Sequence, residues 1–231
     1  MTMAERFVEQ AKADGHANLL CHALGYVACP IALWVGDLDR AREYVDLLHE
    51  TSKKIALTHW HLVSRAHRSV LLIKCGDFEA GVPQLRAAFE EFRRAPAGYR
   101  MMFLAEMTES LVAEQSAGGL ARMEEAIDRA ERTAEGWIMP ELLRIKGELL
   151  VLDGAPDEAA ESCFRQALDL SATQGALSWE LRAVTSHARL CHGQNRRSEA
   201  RALLQPVYDR FTEGFDTADV KVAKVLLDTL L

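Results

Sequence analysis

Glycine and proline are both scarce, 14 and 6 in a chain of 231 residues, and aromatic residues make up only 7% of it. So few turn formers and aromatics give strands little support. Collagen-like and disordered sequence are excluded by a composition that is 49% apolar and 26% charged. No run of about 18 apolar residues is expected, and Met1 to Gly15 lacks the apolar core and cleavage site of a signal peptide. The expectation is a cytoplasmic protein with no membrane partner. Cysteine is sparse as well: Cys21, Cys29, Cys75, Cys163 and Cys191 are odd in number, scattered and never in a C-x-x-C pair, which suits reduced thiols buried in helix packing. Positive charge is in deficit. Lys+Arg 27 against Asp+Glu 34 gives a formal charge of −7, so the molecular field repels nucleic acid and none is expected as a direct partner.

Catalytic and cofactor signatures are missing in the same way. There is no G-x-x-x-x-G-K-[ST] or G-x-G-x-x-G to cradle a phosphate, and no G-x-S-x-G elbow. Cys191 and His192 are adjacent, but neighbours on a helix diverge by about 100° and do not face each other. His59, His61 and His67 form the densest histidine cluster, with Cys75 downstream. On a helix, however, residues two apart point about 200° apart, where metal pairs want i, i+4. These histidines read as surface or hairpin-packing residues. No cofactor, no metal site and no enzyme activity are expected, although acids meeting from different helices leave a groove hydrolase as a remote reading. Arg93, Arg94, Arg196, Arg197 and Arg201 are the basic clusters, placed at helix ends and turns where cations complement the helix dipole.

What is abundant is alanine, leucine, glutamate and arginine, a mixture that favours helix almost throughout. A short phrase recurs: Gly36-Asp37-Leu38-Asp39-Arg40-Ala41, Gly76-Asp77-Phe78-Glu79-Ala80-Gly81 and Gly154-Ala155-Pro156-Asp157-Glu158-Ala159, with weaker echoes at Gly118 and Gly193. The five glycines are 40, 42, 36 and 39 residues apart, the length of a helix pair with two connections. Each glycine can end a helix in the left-handed conformation. Asp37 and Asp77 then cap the next helix, or Pro156 opens it. First helices are predicted at 17–34, 58–74, 100–115, 139–152 and 177–191, and second helices at 38–52, 78–94, 120–134, 157–173 and 197–211. Residues 3–14 form an N-terminal helix, and Asp216 or Thr217 caps a last one bearing Val220, Ala223, Leu226 and Leu227.

The second helices carry apolar pairs at helical spacing: Val45 and Leu48, Leu85 and Ala88, Ile127 and Ala130, Phe164 and Ala167, Leu204 and Val207. Seven residues before four of the five glycines sits a small residue, Cys29, Ser69, Gly147 or Ser186, as expected where the two helices of a hairpin approach closely; before Gly118 stands Leu111 instead. A lone hairpin cannot cover its apolar face, so the prediction is an all-α, right-handed solenoid of about five tetratricopeptide-like hairpins with a C-terminal capping helix, one domain over 1–231. Ala28, Arg68, Ser110, Lys146 and Thr185 stand where that repeat normally has leucine, so the array is divergent. Trp60, Trp137 and Trp179, at or before first helices, read as core packing or as anchors on a groove rim. First helices line the concave side of such arrays, where Glu141, Arg144, Glu148, Glu180, Ala183 and His187 are the candidates for gripping a charged peptide or a small ligand; ordinary ion pairs such as Glu141 with Arg144 explain the same pattern equally well.

The run from Trp137 to Leu150, then Cys163-Phe164-Arg165-Gln166-Ala167-Leu168, Gln174 to Ala183, and the tail from Pro206 to Val220 resemble the C-terminal helical-repeat region of large bacterial signalling proteins. These are winged-helix transcriptional regulators and adenylate-cyclase-type proteins with a central P-loop ATPase. The resemblance covers about 137–231 and is weaker before. It implies a sensor or scaffold module that binds a protein, a peptide or a small effector. The chain has neither the ATPase loop nor the DNA-binding domain, so it would be a separately encoded remnant or an excised piece. A self-associating scaffold, a homodimer paired through end hairpins, is the alternative.

Overall fold

A computed structural model describes residues 3–54, 58–93, 119–133 and 136–231, and among these every regular element is helical. The predicted helix at 100–115, the Gly118 turn and Arg94 lie outside the described residues. The chain divides into two compact units, Met1–Ser110 and Leu111–Leu231.

Unit 1 contains α1 (Met3–Ala13), α2 (Ala17–Ala23), a π-helical turn at Leu24–Ala28, α3 (Cys29–Val35), α4 (Leu38–Lys54), α5 (Thr58–Lys74) and α6 (Phe78–Arg93). Helices α4 and α5 pack on each other, as do α5 and α6, while α2 and α3 lie against α4. The capping logic of the recurring phrase operates as expected: Gly36 and Gly76 are left-handed, with φ of 79° and 88°. The Asp37 and Asp77 carboxylates accept the amides of Arg40 and Ala80 at 3.0 and 3.1 Å. These bonds satisfy donors that a helix start otherwise leaves open.

The predicted helix at 17–34 is interrupted by the π turn, for which Pro30 and His67 together supply the reason. In that turn the Cys29 amide donates to the Leu24 carbonyl, five residues back. The same register would pair the Gly25 carbonyl with residue 30, which is a proline and has no N–H. His67 Nε2 donates to Gly25 O instead, at 2.7 Å. Gly25 also admits Trp60, since a Cβ on it would lie 3.0 Å from the indole ring.

One sequence expectation changes here. Ala17–Val35 is a 19-residue helical stretch without Asp, Glu, Lys or Arg, long and apolar enough to cross a membrane by length and composition. Half of it is buried inside unit 1, however, through Cys21, Ala23, Leu24, Ala28, Cys29, Ala32 and Leu33. Packing against α4 and α5 accounts for the buried half of that apolar stretch.

Unit 2 contains α7 (Gly119–Thr133), a 3-10 turn at Gly136–Ile138, α8 (Met139–Leu152), α9 (Asp157–Gln174), α10 (Leu177–Gly193), α11 (Arg197–Tyr208) and α12 (Ala218–Thr229). Here α8 packs on α7 and α9, α10 on α8, α9 and α11, and α12 on α10 and α11. Three boundaries move. Pro156 is the N-cap of α9, one position before its first turn. Gly154 is left-handed as expected, but Gly193 is still helical, and Asn195 takes the left-handed role with φ 62°. Asparagine tolerates that conformation better than most residues. Helix α11 stops at Tyr208, two residues past Pro206, and the chain closes with i+3 bonds from Arg210 to Val207 and from Phe211 to Tyr208. The end of the unit is sealed by Leu181, Val184, Leu204, Val207, Val220, Ala223, Leu226 and Leu227, one contiguous cluster.

Candidate functional site

Glu141, Arg144 and Glu148 follow each other at i, i+3 and i+7, one stripe of α8, and Glu180, Ala183 and His187 repeat that spacing on α10. Five of these six residues are buried. Glu141 and Arg144 are only 3% and 4% exposed, an environment in which an ion survives only when paired. Arg144 meets Glu141 through two parallel bonds, Nε to Oε2 at 2.9 Å and Nη2 to Oε1 at 2.8 Å, and reaches Glu148 at 2.8 Å with Nη1. From α10, Arg182 adds a second guanidinium to Glu141 Oε1 at 2.8 Å, and the Ser186 hydroxyl donates to Glu148 Oε1 at 2.6 Å. The expected Glu141–Arg144 ion pair is therefore present, inside a layer that ties α8 to α10.

The remaining candidates sit apart from that layer. Glu180 accepts a bond from Arg210 at 2.5 Å, and its second oxygen is buried without a partner among the described residues. Ala183 is enclosed with Leu143 and Ala167. His187 is buried with its ring 5.8 Å from that of Phe164.

Glu148 is the candidate that also opens outward. Together with Ser186 it borders a cleft of about 570 Å³ between α8, α9 and α10, whose apolar lining is Val151, Leu152, Phe164 and Leu190 and whose polar edge includes Asp157, Arg189 and Gln194. Concavity with apolar walls and a few polar groups is the usual form of a binding site. Beside it, Arg196 bridges Glu161, at 2.5 Å, and Glu199. Those bonds from Arg196 hold both carboxyls below the usual carboxylate range. Arg197 and Arg201 edge a separate depression of about 560 Å³ with Leu230 and Leu231.

The histidine cluster of unit 1 is dispersed by its helix. His67 is fully buried and its pKa is pushed down to about 4 by that burial, so it stays neutral and donates to Gly25. His61 stacks on His49 at 5.4 Å, and His59 hydrogen-bonds the Tyr26 hydroxyl. Trp60 is a core residue bonded to Asn18 at 2.6 Å, whereas Trp137 is exposed and Trp179 carries the Arg182 guanidinium 5.7 Å from its ring centre. Four of the cysteines are buried and free, as expected, but Cys75 is exposed in the turn after α5, where the Arg42 guanidinium lies 3.8 Å from its sulfur.

Sequence reasoning missed Arg182 and Glu161. The signal for Arg182 was the repeat itself: Trp60 bonds Asn18, His67 bonds Gly25, and Arg144 lies 3.5 Å from Ser186, each pair 42 residues apart. The partner of Glu141 on the next first helix belongs one period downstream, near position 182. No family model, no curated protein and no solved structure matches the chain.

Proposed function

We propose that this chain is a non-catalytic, tetratricopeptide-like binding module of a cytoplasmic bacterial regulator. Its helix pairs would stack in a right-handed row, and the cleft between α8, α9 and α10 would grip a partner. The observation that carries this reading is the cleft itself, about 570 Å³ with Val151, Leu152, Phe164 and Leu190 as walls. The row is supported by the contacts one repeat period apart and by the stepwise packing of neighbouring helices within each unit. An extended or helical peptide with two or three apolar anchors fits such walls. Glu148 and Asp157 favour a basic residue on that peptide, and Arg189 favours an acidic one. The resemblance of 137–231 to the repeat region of winged-helix and cyclase-type regulators agrees with a protein or peptide as partner, or a small effector.

The test is site-specific photo-crosslinking in cells with the probe at Val151, on the cleft, and at Leu170, on the exposed face of α9. The reading expects a discrete adduct from Val151 that is lost when Leu190 is changed to Glu, and none from Leu170. Equal labelling from both positions would contradict it.

Homodimerisation is the second reading, supported by the apolar outer face of α12, where Val222 is exposed and Val225 is 64% exposed. Light scattering separates the two: a dimer that dissociates in Val225→Lys supports self-association, and a monomer at all concentrations excludes it.

A further inference from the structure

We propose that Glu161 of α9 together with His187 and Cys191 of α10 forms a zinc site in unit 2, binding the ion through a carboxylate oxygen, an imidazole nitrogen and a thiolate sulfur. The three donor atoms lie within 4.8 Å of one another. His187 and Cys191 are at i and i+4, the helical spacing that puts two ligands on one face. The second observation is His187 itself: it is 4% exposed, and both ring nitrogens are buried without a hydrogen-bond partner among the described residues. A buried imidazole is normally bonded, since leaving its polar atoms unsatisfied costs about 1–3 kcal/mol, and a metal would satisfy it.

The donor set selects the ion. Sulfur with nitrogen and oxygen suits a borderline-soft cation such as Zn²⁺ and disfavours Mg²⁺ or Ca²⁺, which take oxygen alone. The Glu161 carboxylate and a Cys191 thiolate supply two negative charges against the two positive ones. Arg165 and Arg196 hold the Glu161 oxygens at 3.1 and 2.5 Å, as outer partners that orient a ligating carboxylate, each oxygen keeping a lone pair free.

Charged groups that act on His187 are Glu161, Arg165, Arg196 and Glu199; burial outweighs them and keeps the imidazole neutral, the form that ligates. Burial likewise raises the Cys191 thiol. Binding therefore forms a sulfur–zinc bond, breaks the S–H bond and releases that proton to solvent, so affinity rises with pH. Three protein ligands leave a fourth position for water. The ion would fasten α9 to α10, and this assignment does not depend on what occupies the cleft.

The full chain, stripped of metal and with its cysteines reduced, is titrated with Co²⁺ and followed by absorbance. The site predicts one Co²⁺ per chain, a thiolate-to-cobalt charge-transfer band with tetrahedral ligand-field bands, release of about one proton per ion, and displacement by Zn²⁺. Cys191→Ser removes the thiolate band. His187→Gln and Glu161→Gln weaken binding at least about tenfold, the loss that even an outer partner causes. Cys75→Ser and Cys163→Ser leave the titration unchanged. Circular dichroism without metal reports whether each variant folds, and Glu161→Gln, at a partly exposed position, decides if the buried variants do not. Absence of the thiolate band in the wild-type chain, its survival in Cys191→Ser, or its loss in Cys75→Ser alone overturns the assignment.

Discussion

Gly147 and Phe164 hold the hairpin of α8 and α9 at its closest approach: a Cβ placed on Gly147 would lie 2.5 Å from Phe164 Cε1 and 2.8 Å from Cζ. Phe164 is fully buried, so its ring has to shift before a side chain fits at 147. A larger residue at 147 gains about 1 kcal/mol of helix propensity over glycine, but the overlap with the ring outweighs that gain. Gly147→Leu is expected to lower stability by about 1–3 kcal/mol in urea unfolding. Adding Phe164→Leu should recover part of the loss, and an unchanged midpoint in the single variant would contradict the contact.

Arg144 carries the buried charge layer between α8 and α10. Replacing it by methionine keeps the packing volume but leaves Glu148 with only the Ser186 hydroxyl and Glu141 with only Arg182. The expected loss is about 1.5–3 kcal/mol, the worth of buried hydrogen bonds to charged groups, because Glu141 keeps Arg182 and Glu148 is partly exposed. Arg40→Met, which removes solvent-accessible pairs with the partly buried Glu5 and the exposed Glu43, should cost under about 1 kcal/mol. Comparable losses in urea unfolding of the two variants would show that the layer is not desolvated.

His67 makes unit 1 sensitive to acid. Its folded pKa is pushed down to about 4 by burial, whereas the unfolded imidazole titrates near 6.5. Between those values the unfolded chain takes up a proton that the folded chain refuses. The contribution is thus fully present above pH about 6.5 and is lost as pH falls towards about 4, on the order of 3 kcal/mol. His67→Asn keeps a donor for Gly25 O and removes the titration. The difference in stability between wild type and variant should change across that pH window; a constant difference would contradict a buried neutral His67.

Much of the helix layout was legible because it depends on local chemistry. Asp37 and Asp77 cap where their carboxylates reach the third amide, and the apolar pairs Val45/Leu48 and Phe164/Ala167 fall on buried faces. Less legible were features set by two helices at once. The π turn follows from Pro30 only when His67 is known to sit beside Gly25. Glu141 and Arg144 read as groove residues from periodicity, because the sequence alone does not say that Arg182 and α10 cover them. The Glu161–His187–Cys191 cluster spans two helices, so the sequence shows only its i, i+4 half, His187 with Cys191.

A gripping cleft requires the helices of unit 2 to lie side by side in a row, with α7 at one end and α12 at the other. Spin labels at Glu131 on α7 and Val225 on α12, both exposed, measure this directly by pulsed dipolar spectroscopy. With two hairpins between them and about 10 Å per packed helix layer, the row predicts a single distance beyond about 20 Å. A distance near about 10 Å, the separation of helices in direct contact, would place both around one common nucleus and contradict the row.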